Sequence, residues 1–317
     1  MASRPVSHGF QGEKHPATSL ILLLALAFAG AVIMGTLSAF IGFITLNRAG
    51  SLTGLEDLAS ATTHTGFLKI LQAGFSIGMF ILPPLLMEVF DKPRQRYLAF
   101  TTSVNPLLWP MVLGIMFFAG PLFEQAILLN ERLQLPEALS GLENWMKAKE
   151  AEQERLTKLL LSDTSYWGMA TSLIVVAVIA AIGEEFFFRG CLQRLLSRWF
   201  NNPHTGIWVT AVIFSAIHLQ FYGFLPRMLM GALFGYLLLW GKNIWLPVLA
   251  HFINNATVAL SAFFLLRRGR SFEEMDAGLQ IPAYFYFISF VLTAVLLYQY
   301  HKTATAQNIR YNGETLD

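Results

Sequence analysis

The chain has 317 residues, of which 55% are hydrophobic and 13% are charged, and its mean hydropathy is +0.51. Soluble domains contain about 25% charged residues, so this composition excludes an ordinary soluble enzyme and a disordered chain. The net charge of +2 and the single cysteine, Cys191, exclude a strongly basic nucleic-acid binder and an intramolecular disulfide framework, so we expect no nucleic-acid partner.

Apolar stretches long enough to cross a lipid bilayer run through most of the chain. A hydrocarbon core of about 30 Å needs roughly 20 apolar residues in a helix. Eight stretches lack Asp, Glu, Lys and Arg, and they do not alternate in polarity as barrel strands do. They cover residues 17–47, 70–87, 97–123, 164–183, 199–226, 228–241, 243–266 and 277–301. We therefore predict an all-α polytopic bundle of about eight transmembrane helices, with Arg227 extending toward a lipid headgroup.

The first apolar stretch is expected to remain in the protein as a membrane helix. It follows Arg4 and Lys14, but it is longer than the apolar region of about 7–15 residues in a signal peptide. Basic residues near the ends of the spans favour cytoplasmic N- and C-termini, although Arg267, Arg268 and Arg270 then lie outside. The expected location is the plasma (inner) membrane of a prokaryote.

One charged segment interrupts the apolar stretches, at residues 130–163. Glu143 with Lys147, and Glu154 with Lys158, have the i, i+4 spacing that stabilises a helix. The pattern predicts an extramembrane helical hairpin on the bilayer surface, broken near Gly141. A solvated linker and a substrate-docking element are both compatible with this pattern.

Two adjacent carboxylates end the fourth apolar stretch, where an ionisable group is expensive and indicates a function. Glu185 and Arg189 are four residues apart, so they share a helix face and can form an ion pair. Glu184 lies about 100° around the helix and points elsewhere, so it is available as a general base. The alternative is that both glutamates only anchor the helix at the membrane boundary.

Two histidines and an asparagine also lie within apolar stretches. His218 follows Phe214 by one turn, and His251 and Asn255 share one helix face on which they could hold a water or an oxyanion. Taken singly, each also fits a packing role, such as an interhelical hydrogen bond worth about 0.6 kcal/mol. Combined with Glu184, they supply a base, a water site and an anion stabiliser, which is the minimum for hydrolysis.

The three motifs together resemble the CPBP family, which contains CAAX-processing endopeptidases of the Ras-converting type and bacterial bacteriocin-processing and immunity relatives. The shared order is Glu-Glu-x-x-x-Arg, Phe-x-x-x-His and His-x-x-x-Asn, and it covers roughly residues 166–266. The resemblance implies an intramembrane endopeptidase with Glu184 as the catalytic base. The residues that it implies as lining or supporting the site are His218, His251, Asn255, Glu185 and Arg189.

The resemblance leaves the cofactor and the substrate open, because both metalloprotease and metal-free glutamate mechanisms are attributed to the family. Glu184, His218 and His251 could hold Zn²⁺ with a water as the fourth ligand. Asn255 is a poor zinc ligand, so we favour the metal-free mechanism and keep Zn²⁺ as an alternative. The expected partner is a membrane-associated peptide or protein, with a CAAX-like or lipidated tail as one option. The sequence indicates no oligomeric state.

The predicted organisation has five parts. They are a polar tail (1–16), accessory transmembrane helices (17–129), the charged helical segment (130–163), a CPBP-like catalytic bundle (164–266), and a last transmembrane helix with a polar tail (267–317). One alternative function is a non-catalytic membrane binding or immunity protein, which would not need all six polar motif residues. The other is a proton-coupled transporter, which would be expected to show inverted repeats that this sequence does not display.

Overall fold

The structure, a computed structural model, describes residues 14–48, 64–93, 96–98, 104–133, 135–272, 274 and 282–311. Within these residues the chain forms nine helices and no β-strand, which confirms the predicted all-α bundle. The helices are α1 (Pro16–Arg48), α2 (Thr65–Phe90), α3 (Leu108–Glu131), α4 (Ser140–Leu161), α5 (Tyr166–Trp199), α6 (Pro203–Ala216), α7 (Phe224–Gly241), α8 (Trp245–Arg267) and α9 (Ala283–Tyr311). Arg4 lies outside the described residues.

Seven of the described helices are long and apolar enough to cross a membrane, one fewer than predicted. The predicted span 199–226 forms only the 14-residue helix α6 and a loop. Fourteen residues rise about 21 Å, which is less than the hydrocarbon core of about 30 Å. Asn202 caps α6, Pro203 starts it, and Leu219 has left-handed backbone with φ 53°. A search for uncharged runs misses such ends because Asn, Pro and Leu carry no charge.

Helix α5 continues through the two glutamates to Trp199, so the prediction that they end a membrane helix is wrong. Two π-helical segments interrupt its α-helical geometry, at Leu173–Ile179 and Glu185–Leu192. π-Helical turns are rare and occur frequently at functional sites. The second segment begins directly after Glu184 and carries Glu185 and Arg189.

The charged segment forms one helix, α4, which follows a short 3₁₀ turn at Glu137–Leu139. The predicted hairpin is therefore wrong. Gly141 lies in the first turn of α4, where backbone N–H groups lack helical partners in any case, so glycine does not break the helix there. Both predicted ion pairs form, with 2.7 Å between Lys147 and Glu143 and 2.5 Å between Lys158 and Glu154.

Helix α5 is the most buried of the spanning helices, whereas α1 and α9 are the least buried and expose large apolar side chains such as Phe28 and Phe287. Exposed apolar side chains of this kind suit contact with lipid. Together with the seven candidate spans they identify a multi-pass integral membrane protein. Helix α8 runs antiparallel to α5, because His251 meets Glu185 and the later Asn255 meets the earlier Val176. This pairing brings two of the sequence motifs together in the centre of the bundle.

Candidate active site

A fully buried ion pair forms the base of the site. Arg189 donates from Nη1 to Glu185 Oε1 at 2.9 Å, and neither side chain is exposed. The guanidinium carbon lies 4.5 Å from the ring centre of Phe214 and 5.4 Å from that of Phe234, so aromatic faces surround the charge. Taking two charges out of water is costly, and removing one partner alone costs more. The pair therefore holds the Glu185 side chain in one position.

His251 lies between the two glutamates of α5. Its Nδ1 is 2.7 Å from Glu185 Oε1, and its Nε2 is 3.8 Å from Glu184 Oε2. An ionised carboxylate only accepts hydrogen bonds, so we assign the proton of the neutral ring to Nδ1. Phe234 stacks on the imidazole at 5.3 Å and 28° and limits its rotation. Both glutamates therefore meet the same histidine, although the predicted geometry directed Glu184 elsewhere.

His218 approaches Glu184 from the loop that follows α6. Its Nδ1 is 2.7 Å from the Phe214 carbonyl oxygen, which only accepts, so Nδ1 carries the proton. The Nε2 atom lies 3.9 Å from Glu184 Oε2. Burial lowers the pKa of His218 below its ordinary value of 6.5, and the attraction of Glu184 opposes this shift. The ring is therefore neutral at neutral pH and presents a lone pair on Nε2.

Glu184 Oε2 is thus the point on which two imidazole Nε2 atoms converge. The separations of 3.8 and 3.9 Å are too long for direct hydrogen bonds. They suit a water that bonds both the carboxylate and a ring nitrogen, at about 2.8 Å from each. The Glu184 side chain is 15% exposed, so water can reach part of it.

The same three side chains were the candidate zinc ligands, and their arrangement tests that prediction. Within the described residues, no group of three or more His, Cys, Asp or Glu side chains is placed closely enough to hold a metal ion. Glu184, His218 and His251 therefore do not fit a preformed zinc site in this geometry.

Asn255 is placed differently from the other predicted site residues. Its Nδ2 donates to the carbonyl oxygen of Val176 at 2.9 Å, and Val176 lies in the first π segment of α5. Val176 precedes Glu184 by eight residues, which is about 12 Å along a helix. Asn255 thus ties α8 to α5 two turns away from the glutamates, whereas the other five predicted residues lie together.

Sequence reasoning missed two residues near the site. Phe234 is one of 27 phenylalanines in an apolar chain, so nothing in the sequence distinguishes it. Arg227 does stand out in the sequence, because it is the one charged residue between positions 199 and 241. That isolation predicted contact with a lipid headgroup and did not indicate a residue near the site. The Arg227 guanidinium bonds Gln220 and Gly223 in the loop after His218.

An apolar cavity of about 280 Å³ lies beside the site, between α3, α5 and α8. Ile182 and Phe252 belong to its wall, and they lie within two residues of Glu184 and His251, respectively. Its lining residues are Trp109, Val178, Ala181, Ile182, Trp245, Val248, Leu249 and Phe252. The cavity suits an apolar group of a bound molecule, because no ionisable side chain lines it.

Comparisons with known proteins match the same part of the chain. Residues 166–257 match the sequence model of a family described as type II CAAX prenyl endopeptidase Rce1-like. The uncharacterised protein YpbD of Bacillus subtilis (strain 168) is 29% identical over 110 residues, which cover 33% of this chain and 53% of YpbD. YdiL of the same organism, a candidate membrane peptidase, is 31% identical over 88 residues, which cover 28% of this chain and 36% of YdiL. No solved structure matches the chain.

The region that matches the family contains all six predicted site residues, from Glu184 to Asn255. The motifs and the matches agree, and they support the resemblance of this region to the CPBP family. It spans about half the length of YpbD and about a third of that of YdiL. Both relatives are bacterial, in agreement with a multi-pass protein of a prokaryotic plasma membrane.

Proposed function

We propose that the chain is an intramembrane endopeptidase of the CAAX-processing type, which hydrolyses a peptide bond of a membrane-associated protein or peptide. The observation that carries this proposal is the convergence of His218 Nε2 and His251 Nε2 on Glu184 Oε2. The family match over residues 166–257 and the relative YdiL support a peptidase. A Glu-activated water is the chemistry that these side chains can perform without any further group.

The first step is attack by water. A water beside Glu184 donates one hydrogen to Glu184 Oε2 and the other to the neutral Nε2 of His218, which directs an oxygen lone pair at the substrate carbonyl carbon. Glu184 takes the proton as the new C–O bond forms. The carbonyl becomes a tetrahedral oxyanion, and the carboxylate becomes a carboxylic acid.

The second step is collapse of the tetrahedral intermediate. The C–N bond breaks, and Glu184 returns its proton to the leaving nitrogen, so the products are a carboxylic acid and an amine. His251 can donate from Nε2 to the oxyanion when it is protonated, and the ionised Glu185 at 2.7 Å offsets the charge that the ring then acquires. Arg189 acts through Glu185 as a positioning residue.

The apolar cavity between α3, α5 and α8 supports the proposal that the substrate is associated with the membrane. None of its eight lining residues carries an ionisable side chain. An apolar side chain or a lipid-like group of the substrate would be buried there, at roughly 25 cal/mol for each Å² removed from water. The lipidated or CAAX-like character of the tail belongs to the proposal.

The test is cleavage of a quenched library of membrane peptides by the full chain in lipid nanodiscs. Wild-type protein is compared with Glu184→Gln, and with Glu131→Gln as a matched control at an exposed carboxylate on α3. We expect cleavage by the wild type and the control, and a loss of at least about 100-fold in Glu184→Gln. Cleavage that persists in Glu184→Gln, or its absence from wild-type protein, would contradict the proposal.

A further inference from the structure

Arg227 lies near the candidate active site but has no role in the proposed mechanism. It lies in the first turn of α7 and is partly buried. It is the one charged residue in a stretch of more than forty residues that otherwise lacks Asp, Glu, Lys and Arg. A charged side chain in such a position is costly and indicates a function.

The hydrogen bonds of Arg227 involve neutral acceptors. Its Nη2 donates to Gln220 Oε1 at 2.5 Å, and its Nη1 lies 3.5 Å from the carbonyl oxygen of Gly223. The guanidinium packs directly on Gly223, where an added Cβ would lie 3.3 Å from Arg227 Nη2. In the described part of the chain, no carboxylate oxygen lies within 4.0 Å of it. The charge of Arg227 therefore has no direct counter-ion.

The surroundings of Arg227 contain carboxylates from two helices, Glu150 of α4 and Glu184 of α5. Both attract the guanidinium at longer range, and His218 also lies within its electrostatic reach. Glu150 itself accepts a hydrogen bond from the Tyr222 backbone N–H at 2.9 Å. Helix α4 therefore packs against the same loop that Arg227 contacts. The guanidinium thus lies beside the loop that carries His218 and within electrostatic reach of Glu184.

An anionic group on a substrate would need such a counter-charge. Glu184 and Glu185 repel a carboxylate that approaches the scissile bond, and Arg189 is already paired with Glu185. The planar fork of an arginine matches a carboxylate with two parallel hydrogen bonds. Glutamine and a backbone carbonyl are weak enough partners for a carboxylate to replace them.

We propose that Arg227 binds a carboxylate of the substrate close to the scissile bond, so that the enzyme selects peptides with an anionic group at that position. This inference rests on the proposed function and adds a specificity-determining residue to it. The carboxylate has two sources, the C-terminal α-carboxylate of the substrate or an Asp or Glu side chain. The observations favour a substrate carboxylate over a lipid headgroup, because the guanidinium contacts the loop that follows His218.

The experiment uses a peptide that the full chain cleaves in a Glu184-dependent manner, made as a free acid and as a C-terminal amide. A second pair exchanges each Asp or Glu near the cleavage site for Asn or Gln. We expect one of these pairs to show about a 10- to 100-fold preference for the carboxylate form in kcat/KM, mostly through KM. Arg227→Gln should abolish that preference, Arg227→Lys should restore part of it, and Arg268→Gln on an exposed site should leave it unchanged.

Two results would overturn the inference. One is equal cleavage of both members of both pairs by wild-type protein. The other is an equal loss for carboxylate and amide peptides in Arg227→Gln, which would mean that Arg227 only fastens the loop of His218. A binding measurement separates this inference from the proposed function. The same peptides, labelled with a fluorophore, are bound to Glu184→Gln protein, which we expect to be inactive. A carboxylate preference in binding that depends on Arg227 supports the inference even if no cleavage is found, and its absence contradicts it.

Discussion

His251 and Glu185 share a 2.7 Å hydrogen bond between helices α8 and α5, and the Glu185 oxygen that takes part in it also accepts from Arg189. One carboxylate oxygen thus orients the histidine and balances the buried guanidinium. The opposite edge of the imidazole is then directed at Glu184. The position of His251 relative to Glu184, the proposed general base, therefore depends on the contacts that link Arg189, Glu185 and His251.

Loss of either partner of the buried pair should destabilise the protein strongly. We expect Arg189→Met to lower the free energy of unfolding by about 3–5 kcal/mol, because Glu185 would then be a buried charge without its partner. The double variant Glu185→Gln/Arg189→Met should recover part of this loss. Unfolding in a denaturing detergent measures both values, and additive losses in the double variant would contradict the coupling.

The acid limb of the pH–rate profile should lie below pH 6.5. His218 must be neutral to accept a hydrogen from water, and burial lowers its pKa below the ordinary value of 6.5. The neutral form is therefore kept as the pH falls through 6.5, and it is lost only below the lowered pKa. The measurement is kcat/KM between pH 4.5 and 8 on one peptide, and a midpoint at or above 6.5 would show that His218 is not held neutral by burial.

Phe234 should act through His251 rather than on the substrate. Phe234→Leu removes the ring that stacks at 5.3 Å on the imidazole, while most of the buried volume is kept. We expect kcat to fall about tenfold with KM nearly unchanged, since only the orientation of His251 is altered. Phe287→Leu on the exposed flank of α9 is the matched control. A change in KM alone would place Phe234 in substrate binding instead.

Asn255 should contribute more to stability than to the chemical step. Asn255→Ala leaves the Val176 carbonyl without its side-chain donor, so we expect a loss of about 1 kcal/mol in unfolding free energy. The folded variant should retain kcat/KM within about tenfold of the wild type. Thr257→Ala, at an exposed position on the same helix, is the control. Full stability combined with complete loss of activity would place Asn255 in the reaction itself.

The sequence predicted those parts of the structure that depend on spacing within one helix. The i, i+4 pairs Glu185–Arg189 and Glu143–Lys147 form as expected, because neighbours on a helix face meet whatever surrounds the helix. The shared contact of Glu184 and Glu185 with His251 could not be derived in this way. It depends on the packing of α8 against α5 and on a π segment that hydropathy does not reveal.

The errors of the sequence analysis have the same origin. The short helix α6 was assigned as a full span because Asn202 and Pro203 add no charge to the run. The hydrogen bonds of Arg227 to Gln220 and Gly223 could not be derived from helix spacing, because they depend on the conformation of the loop after His218. Side chains that meet across helices therefore need the three-dimensional arrangement.

The most direct test of the account is the activity of Glu184 variants in the presence and absence of a chelator, on one identified peptide in lipid nanodiscs. We predict that Glu184→Gln loses at least about 100-fold in kcat, that Glu184→Asp keeps part of it, and that a chelator leaves the wild type unchanged. Wild-type kcat in Glu184→Gln would contradict the role of Glu184 as the base. Loss of wild-type activity to the chelator, with recovery on adding Zn²⁺, would contradict the metal-free mechanism.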